Sequence, residues 1–492
     1  RMTGTPGAIR SAKLIGDVYG THSLAAFRPE YRHVFNFSRE VRLVEGQNSF
    51  QAFVKSKGKD LKLGGDYQPL SISGDGSATG DAVFVGYGIA QLGIYDSFGT
   101  VDLKGKVAVL LEGLPPGLTD EQRNQLLPLA STPHKAVRIR ERGAAALVLV
   151  RSLEPGTKPM SLQPEFGNAD VGLPAVSVQS NWLIEALKAG GHSPAALRDT
   201  LNRGQSIQPI ALNRKLQLMV KLERVPQSCQ NVVAYLVPAG QKLEETEFVV
   251  IGAHYDHLGR GHLKEASRSP KERQDDIHNG ADDNASGTAA VLELAAYFAE
   301  RYQTQPSRYK RGLIVAAWSG EEMGLIGSQR FMADLPVRRE QIRAYVNFDM
   351  VGSLRDNRLF AQATGSAPEW KGILEKKNVA AGFDLKLHED PWLPTDATSF
   401  YAQRIPVLSF FTGLTSTYHT TEDDPHTLNY EGLERIGRFA ALVIEEVLQG
   451  STLTYQESAN PGAGRRRMNS GVYLGTIPDY AGEGEGRCAR QP

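Results

Sequence analysis

The sequence predicts an α/β fold: a mostly parallel mixed sheet flanked by helices, with a smaller α/β module inserted ahead of it. Three observations carry this reading. From Asn231 to Leu448, short apolar runs of strand length alternate with amphipathic helical stretches. The segments between those runs are long enough for the helical crossovers that parallel strands require. A second alternating series fills residues 71–225, before the main one begins.

Taken in order, the first 70 residues show weak helical periodicity near Ala12–Tyr19 and strand-like alternation over Glu40–Phe53. They are expected to belong to the main domain. Within the inserted module, Asp81–Ile89, Gly105–Glu112, Gly143–Val150 and Pro174–Val178 read as strands, and Lys135–Arg142 and Trp182–Ala189 as helices. Strand patterns resume at Leu216–Val225 and Asn231–Val237, then at Phe248–Ala253. Beyond come a helix over Thr288–Tyr302, a strand at Gly312–Trp318 and a helix over Met323–Leu335. The series ends with a strand at Ala344–Asp349, a helix over Glu369–Lys377, a strand at Ile405–Phe411 and a long helix over Tyr430–Leu448. The main domain is thus placed at 226–450. Residues 451–492 read as a polar linker and tail, rich in Gly and Arg.

Composition narrows the function. The chain has 492 residues, with 55 Lys and Arg against 55 Asp and Glu. A neutral balance gives no electrostatic footprint for nucleic acid or an anionic membrane, and no apolar run is long enough to span a bilayer. With only Cys229 and Cys488, neither a disulfide framework nor a thiolate metal site is expected. The opening Arg1-Met2-Thr3-Gly4-Thr5-Pro6-Gly7 lacks the apolar stretch of a secretory signal.

The chemistry gathers at strand ends. The run F-V-V-I-G-A is followed by His254, Tyr255 and Asp256, and the next helix is preceded by G-A-D-D-N-A-S-G, with Asp282 and Asp283. Just past the strand Gly312–Trp318 sit Glu321 and Glu322; Asp349 closes the next strand, and His419 lies in the loop after Ile405–Phe411. Singly, each has an ordinary explanation: a surface pair, helix-dipole partners, a cap, a loop histidine. Solvated residues have no reason to recur past successive buried strands, and open α/β sheets carry their chemistry there. Two imidazoles with three carboxylates, one of them bridging, suit two divalent ions. Without a thiolate, zinc is favoured, with manganese or cobalt as substitutes. His257, His262 and His278, in or beside the polar loop between His254 and Asp283, are read as solvated loop residues or a rim around the cleft rather than as ligands.

Together, H-Y-D, G-A-D-D-N-A-S-G, G-E-E-M-G-L-I-G-S, N-F-D-M and Y-H-T resemble the di-zinc aminopeptidases of metallopeptidase family 28, over about Asn231–Leu448. The resemblance implies a zinc-exopeptidase fold of the phosphorylase/hydrolase-like type and two zinc ions as cofactors. His254 and Asp349 would bind one ion, Glu322 and His419 the other, and Asp283 would bridge them. Glu321 would be the general base, Asp256 would orient His254, and Tyr418 would donate to the oxyanion. Asp282 is expected to cap the following helix and Asp423 to brace the His419 loop. Residues 71–225 resemble a protease-associated domain. The family's G-R-x-x-G-T-P-G pattern is entered here at its arginine, Arg1, and Gly471–Ala481 resembles the start of a PDZ domain, so both chain ends are expected to be cut. The implied partners are peptides with a free N-terminus, and the implied compartment is periplasmic or extracellular; oligomeric state stays open. Two other readings remain: a carboxypeptidase- or glutaminyl-cyclase-like enzyme on the same fold, and a non-catalytic, receptor-like peptide-binding protein.

Overall fold

A computed structural model describes the chain except residues 92, 120–121, 124–125, 127–128, 163–169, 262, 264–265, 459–475, 478–488 and 491–492. The PDZ-like stretch, apart from Thr476–Ile477, and most of the linker expected before it therefore lie outside the described residues. The chain divides into two compact units, one of Arg1–Phe37 with Ser228–Ser458 and the other of Ser38–Gln227.

The first unit is built on one mixed sheet. Its elements are α1 (Pro6–Thr21), β1 (Ala25–Ala26), β2 (Leu222–Leu236), β3 (Phe248–His254), α2 (Gly287–Thr304), β4 (Gly312–Trp318), α3 (Ile326–Ala333) and β5 (Ile342–Phe348). They continue with β6 (Arg358–Gln362), α4 (Glu369–Ala381), β7 (Asp384–His388), α5 (Ala397–Tyr401), β8 (Val407–Phe411) and α6 (Tyr430–Leu448). The strand order is β1-β2-β4-β3-β5-β8-β6-β7. The four central strands β4, β3, β5 and β8 run parallel, while β2 and β6 flank them antiparallel. All seven residues of β3 and of β4 are buried, as befits strands covered on both faces. Each fully buried Val, Ile or Phe there contributes roughly 1.5–3 kcal/mol.

Helices α2 and α6 lay Val291, Leu294, Phe298, Ile436, Phe439 and Ile444 on one face of this sheet, joined by Tyr19 of α1. The other face packs Trp318, Phe331, Tyr345 and Phe400. Two strands fall outside the sequence pattern: Arg358–Gln362, which pairs antiparallel with β8, and Asp384–His388, its parallel partner at the sheet edge. The helix after β4 starts at Ile326 rather than Met323, which leaves Glu321 and Glu322 in the turn.

The second unit is an eight-stranded sheet in the order Lys57–Asp60, Ser49–Val54, Ile210–Val220, Gly76–Phe84, Val107–Leu111, Ala146–Val150, Ala175–Val178, Tyr67–Pro69. It begins earlier than residue 71 because Ser49–Val54 pairs with Ile210–Val220, drawing residues 38–70 away from the main domain. Its core is Val, Leu and Ala from the central strands, sealed by the helices Thr132–Glu141 and Ser180–Ala189. No helix among the described residues is long and apolar enough to cross a membrane.

Candidate metal centre

Four parallel strands end at one edge, and their carboxyl ends deliver the ligand-type side chains. His254 is the last residue of β3, and Asp283 lies in the turn Ala281–Ser286 that leads into α2. Glu321 and Glu322 follow β4, Asp349 follows β5, and His419 sits between β8 and α6. These six residues converge on two clusters that share Asp283.

In the first cluster, His254 Nε2 lies 3.3 Å from Asp283 Oδ1, 3.5 Å from Asp349 Oδ1 and 3.9 Å from Glu321 Oε2. In the second, His419 Nε2 lies 3.1 Å from Asp283 Oδ2 and 3.3 Å from Glu322 Oε2. Ligand atoms at zinc bond lengths in a tetrahedral arrangement stand roughly 3.3 Å apart. The donor set therefore fits two ions of that size, with one oxygen of Asp283 turned to each.

Burial differs within the set. The side chains of His254, Asp283, Glu322 and His419 are 5% exposed or less, whereas Glu321 is 13% and Asp349 15% exposed. The centre thus opens on the side of Glu321. Desolvation alone would drive both imidazoles neutral, but Glu321 and the neighbouring Asp side chains hold His254 well above its ordinary range. Likewise Glu322 and Asp283 push His419 up to about 10. Burial would raise Asp283, yet His257, His254 and His419 overcome it and hold the carboxylate well below the usual range. Glu321 goes the other way: desolvation lifts it well above that range, opposed by His254 and reinforced by Glu322 and Asp349.

The sequence D-D-N-A-S-G shows why the turn holds its shape. Asp423 accepts from the backbone N–H of Asp282 at 2.8 Å and of Asp283 at 3.0 Å. Asp282 does not reach the clusters: its Oδ1 accepts from Gly352 N–H at 2.8 Å and from the Ser286 hydroxyl at 3.2 Å. Asn284 donates to the Phe348 carbonyl at 2.9 Å and accepts from Met350 N–H at 3.2 Å, so it clasps the turn bearing Asp349 from both sides. Gly287 permits this approach, since a Cβ there would stand 2.4 Å from the Phe348 carbonyl.

Asp256 lies beside His254, whose Nδ1 is 3.3 Å from the Asp256 carbonyl and 3.7 Å from its Oδ1. The carboxylate also accepts from Glu321 N–H at 3.2 Å, tying the β3 and β4 ends together. Tyr418 stacks on His419 with ring centroids 3.8 Å apart.

The polar loop is where the sequence reading fails. His257 and His278 are both buried rather than solvated. His278 sits in a short hairpin pairing Gly259–Arg260 with Ile277–His278, and its Nε2 is 2.7 Å from the Ser267 hydroxyl. His257 joins the second cluster, with Nδ1 2.7 Å from Glu322 Oε1. The spacing His254–His257 is the available signal, obscured because both residues adjoin a long, charged loop. The same loop clamps His419. His419 Nδ1 donates to the Ala266 carbonyl at 3.0 Å, and Arg268 N–H donates to the His419 carbonyl at 2.9 Å. The clamp directs Nε2 toward the carboxylates and holds His419 at φ 58°, a conformation costing a side-chain-bearing residue about 1–2 kcal/mol.

Residues 231–444 match the model of Peptidase family M28. An aminopeptidase of Pseudomonas aeruginosa (strain UCBPP-PA14) is 29% identical over 195 residues, which is 38% of this chain and 31% of that protein. An aminopeptidase of Bacillus subtilis (strain 168) is 26% identical over 375 residues, 73% of this chain and 66% of that protein. The matches thus span less than two thirds of these relatives' own lengths. Among solved structures, an aminopeptidase from Aneurinibacillus sp. strain AM-1 superposes with a TM-score of 0.50 at 19% identity, over 93% of this chain and 92% of that one. It shares the fold.

Proposed function

Residues 231–444 form a peptidase family M28 domain, and from that premise we propose that the protein is a two-zinc aminopeptidase, hydrolysing N-terminal residues from peptides. The observation that supports this most is Asp283, which offers Oδ1 to the His254–Asp349 cluster and Oδ2 to the Glu322–His419 cluster. Zinc bound at both would supply Lewis-acid activation of water and of the scissile carbonyl. His254 and Asp349 would hold one ion and Glu322 and His419 the other, with Asp283 between them.

The remaining steps belong to the protein's own groups. Glu321 borders the first cluster on its open side, where a carboxylate takes the proton from attacking water and returns it to the leaving amine. Asp256 fixes that residue by accepting from its backbone N–H, while its carbonyl lies beside His254 Nδ1. Tyr418, braced against His419, is assigned to the oxyanion. The names of the similar proteins, both aminopeptidases, agree with a free N-terminus as the substrate feature.

The test is turnover of a panel of aminoacyl chromogenic substrates before and after chelation. At least one free-amine substrate is expected to be cleaved, with the N-acetylated form inert and chelation abolishing the rate. Chelator-insensitive cleavage, or none on any member of the panel, would refute the proposal.

A further inference from the structure

Glu322 spends only one of its two carboxylate oxygens on the second cluster. Oε2 is 3.3 Å from His419 Nε2, the separation of two ligands around one ion. Oε1 turns the other way and meets His257 Nδ1 at 2.7 Å. That distance is too short for a ligand-to-ligand edge, roughly 3.3 Å for tetrahedral zinc, and it is the length of a charge-assisted hydrogen bond. His257 Nδ1 also stands 3.8 Å from Asp283 Oδ2, outside hydrogen-bond range. The ring is completely buried, its Nε2 has no hydrogen-bond partner among the described residues, and it crosses His419 edge-on with centroids 5.6 Å apart.

The site is shaped to hold this ring. Gly280, at φ 60°, lies against it so closely that a Cβ would stand 2.5 Å from Cγ and Cδ2 of His257. No side chain can occupy position 280 without displacing the imidazole. Two residues beyond His257, Gly259–Arg260 pairs antiparallel with Ile277–His278.

We propose that His257 is a positioning residue for Glu322: its Nδ1–H donates to Oε1, so that Glu322 reaches the second metal position through Oε2 alone. The inference rests on the two-zinc reading above. It extends that reading by assigning a third imidazole to the centre as a donor to a ligand rather than a ligand. With Oε1 held, Glu322 cannot turn to bind through both oxygens, and the coordination space this leaves open falls to water and substrate. Losing such a partner typically weakens metal affinity about 10–100-fold.

Zinc affinity of the full chain, measured by competition with a chromogenic chelator, tests the proposal in H257N, H257Q and H257F. Asn places an amide N–H near the Nδ1 position, Gln places it near Nε2, and Phe keeps the ring without a donor. H257N is expected to bind both ions within about threefold of the unsubstituted protein, while H257F and H257Q lose about 10–100-fold on one ion and keep the other. Should H257F not fold, the contrast of Asn with Gln carries the same information. Unchanged affinity for both ions in H257F and H257Q would overturn the proposal, as would an H257N loss equal to theirs. An unsubstituted protein that takes up no zinc would instead refute the two-zinc reading itself.

Discussion

Glu321 and Glu322 are neighbours in sequence with opposite electrostatic settings. Glu322 faces His419 and His257, which outweigh its burial and hold its carboxylate well below the usual range. Glu321 sits on the open side, where desolvation lifts it. A ligand must stay ionised, whereas a proton shuttle benefits from a raised pKa. Glu321→Gln should therefore keep its zinc content while kcat falls at least about a hundredfold; full activity in this variant would remove Glu321 as the base. The adjacency is legible as a Glu-Glu pair past a strand, but the sequence does not show which of the two faces inward. His257 escapes the sequence reading for a related reason. Burial of a residue just past a strand end depends on what packs against it, here Gly280, 23 residues further along the chain.

At the scale of elements, the strands buried on both faces are the most legible, because an unbroken apolar run has few other uses. Gly312–Trp318 matches its sequence-based bounds to the residue, and so does the long amphipathic helix Tyr430–Leu448. The edge strand Asp384–His388 does not stand out, since its exposed and half-exposed residues carry a mixed pattern that also suits a loop. The helix Thr132–Glu141 holds a different surprise. Lys135 is buried within it, with Nζ donating to the Leu111 carbonyl at 2.9 Å and the Gly113 carbonyl at 2.6 Å. Burial pushes this lysine down to about 7, against a small opposing pull from Glu112. Between pH 7 and 10 the unfolded chain then carries one more proton than the folded one, so stability rises with pH across that window. Below pH 7 both states are protonated and the penalty is constant, on the order of 5 kcal/mol at most. Melting temperatures of K135M and the unsubstituted protein, compared at pH 7 and 9.5, should show a gain with pH that is larger in the unsubstituted protein. Equal gains would mean that Lys135 is not held neutral.

For the whole molecule, the sequence distinguishes two α/β series but misplaces the boundary between them. Residues 38–70 alternate weakly, and within them Ser49–Val54 pairs with a strand more than 150 residues away, a long-range choice that local patterning does not record. The metal centre is more legible than the boundary because a parallel sheet brings its strand ends to one edge whatever the loops do. On the function proposed above, this edge holds two ions bridged by Asp283. Zinc titrated into the chelated protein while hydrolysis of an aminoacyl substrate is followed tests it most directly. The rate should return with added zinc, and tight uptake should stop at two ions per chain. Saturation at a single ion with full activity, or activity that survives chelation, would contradict it.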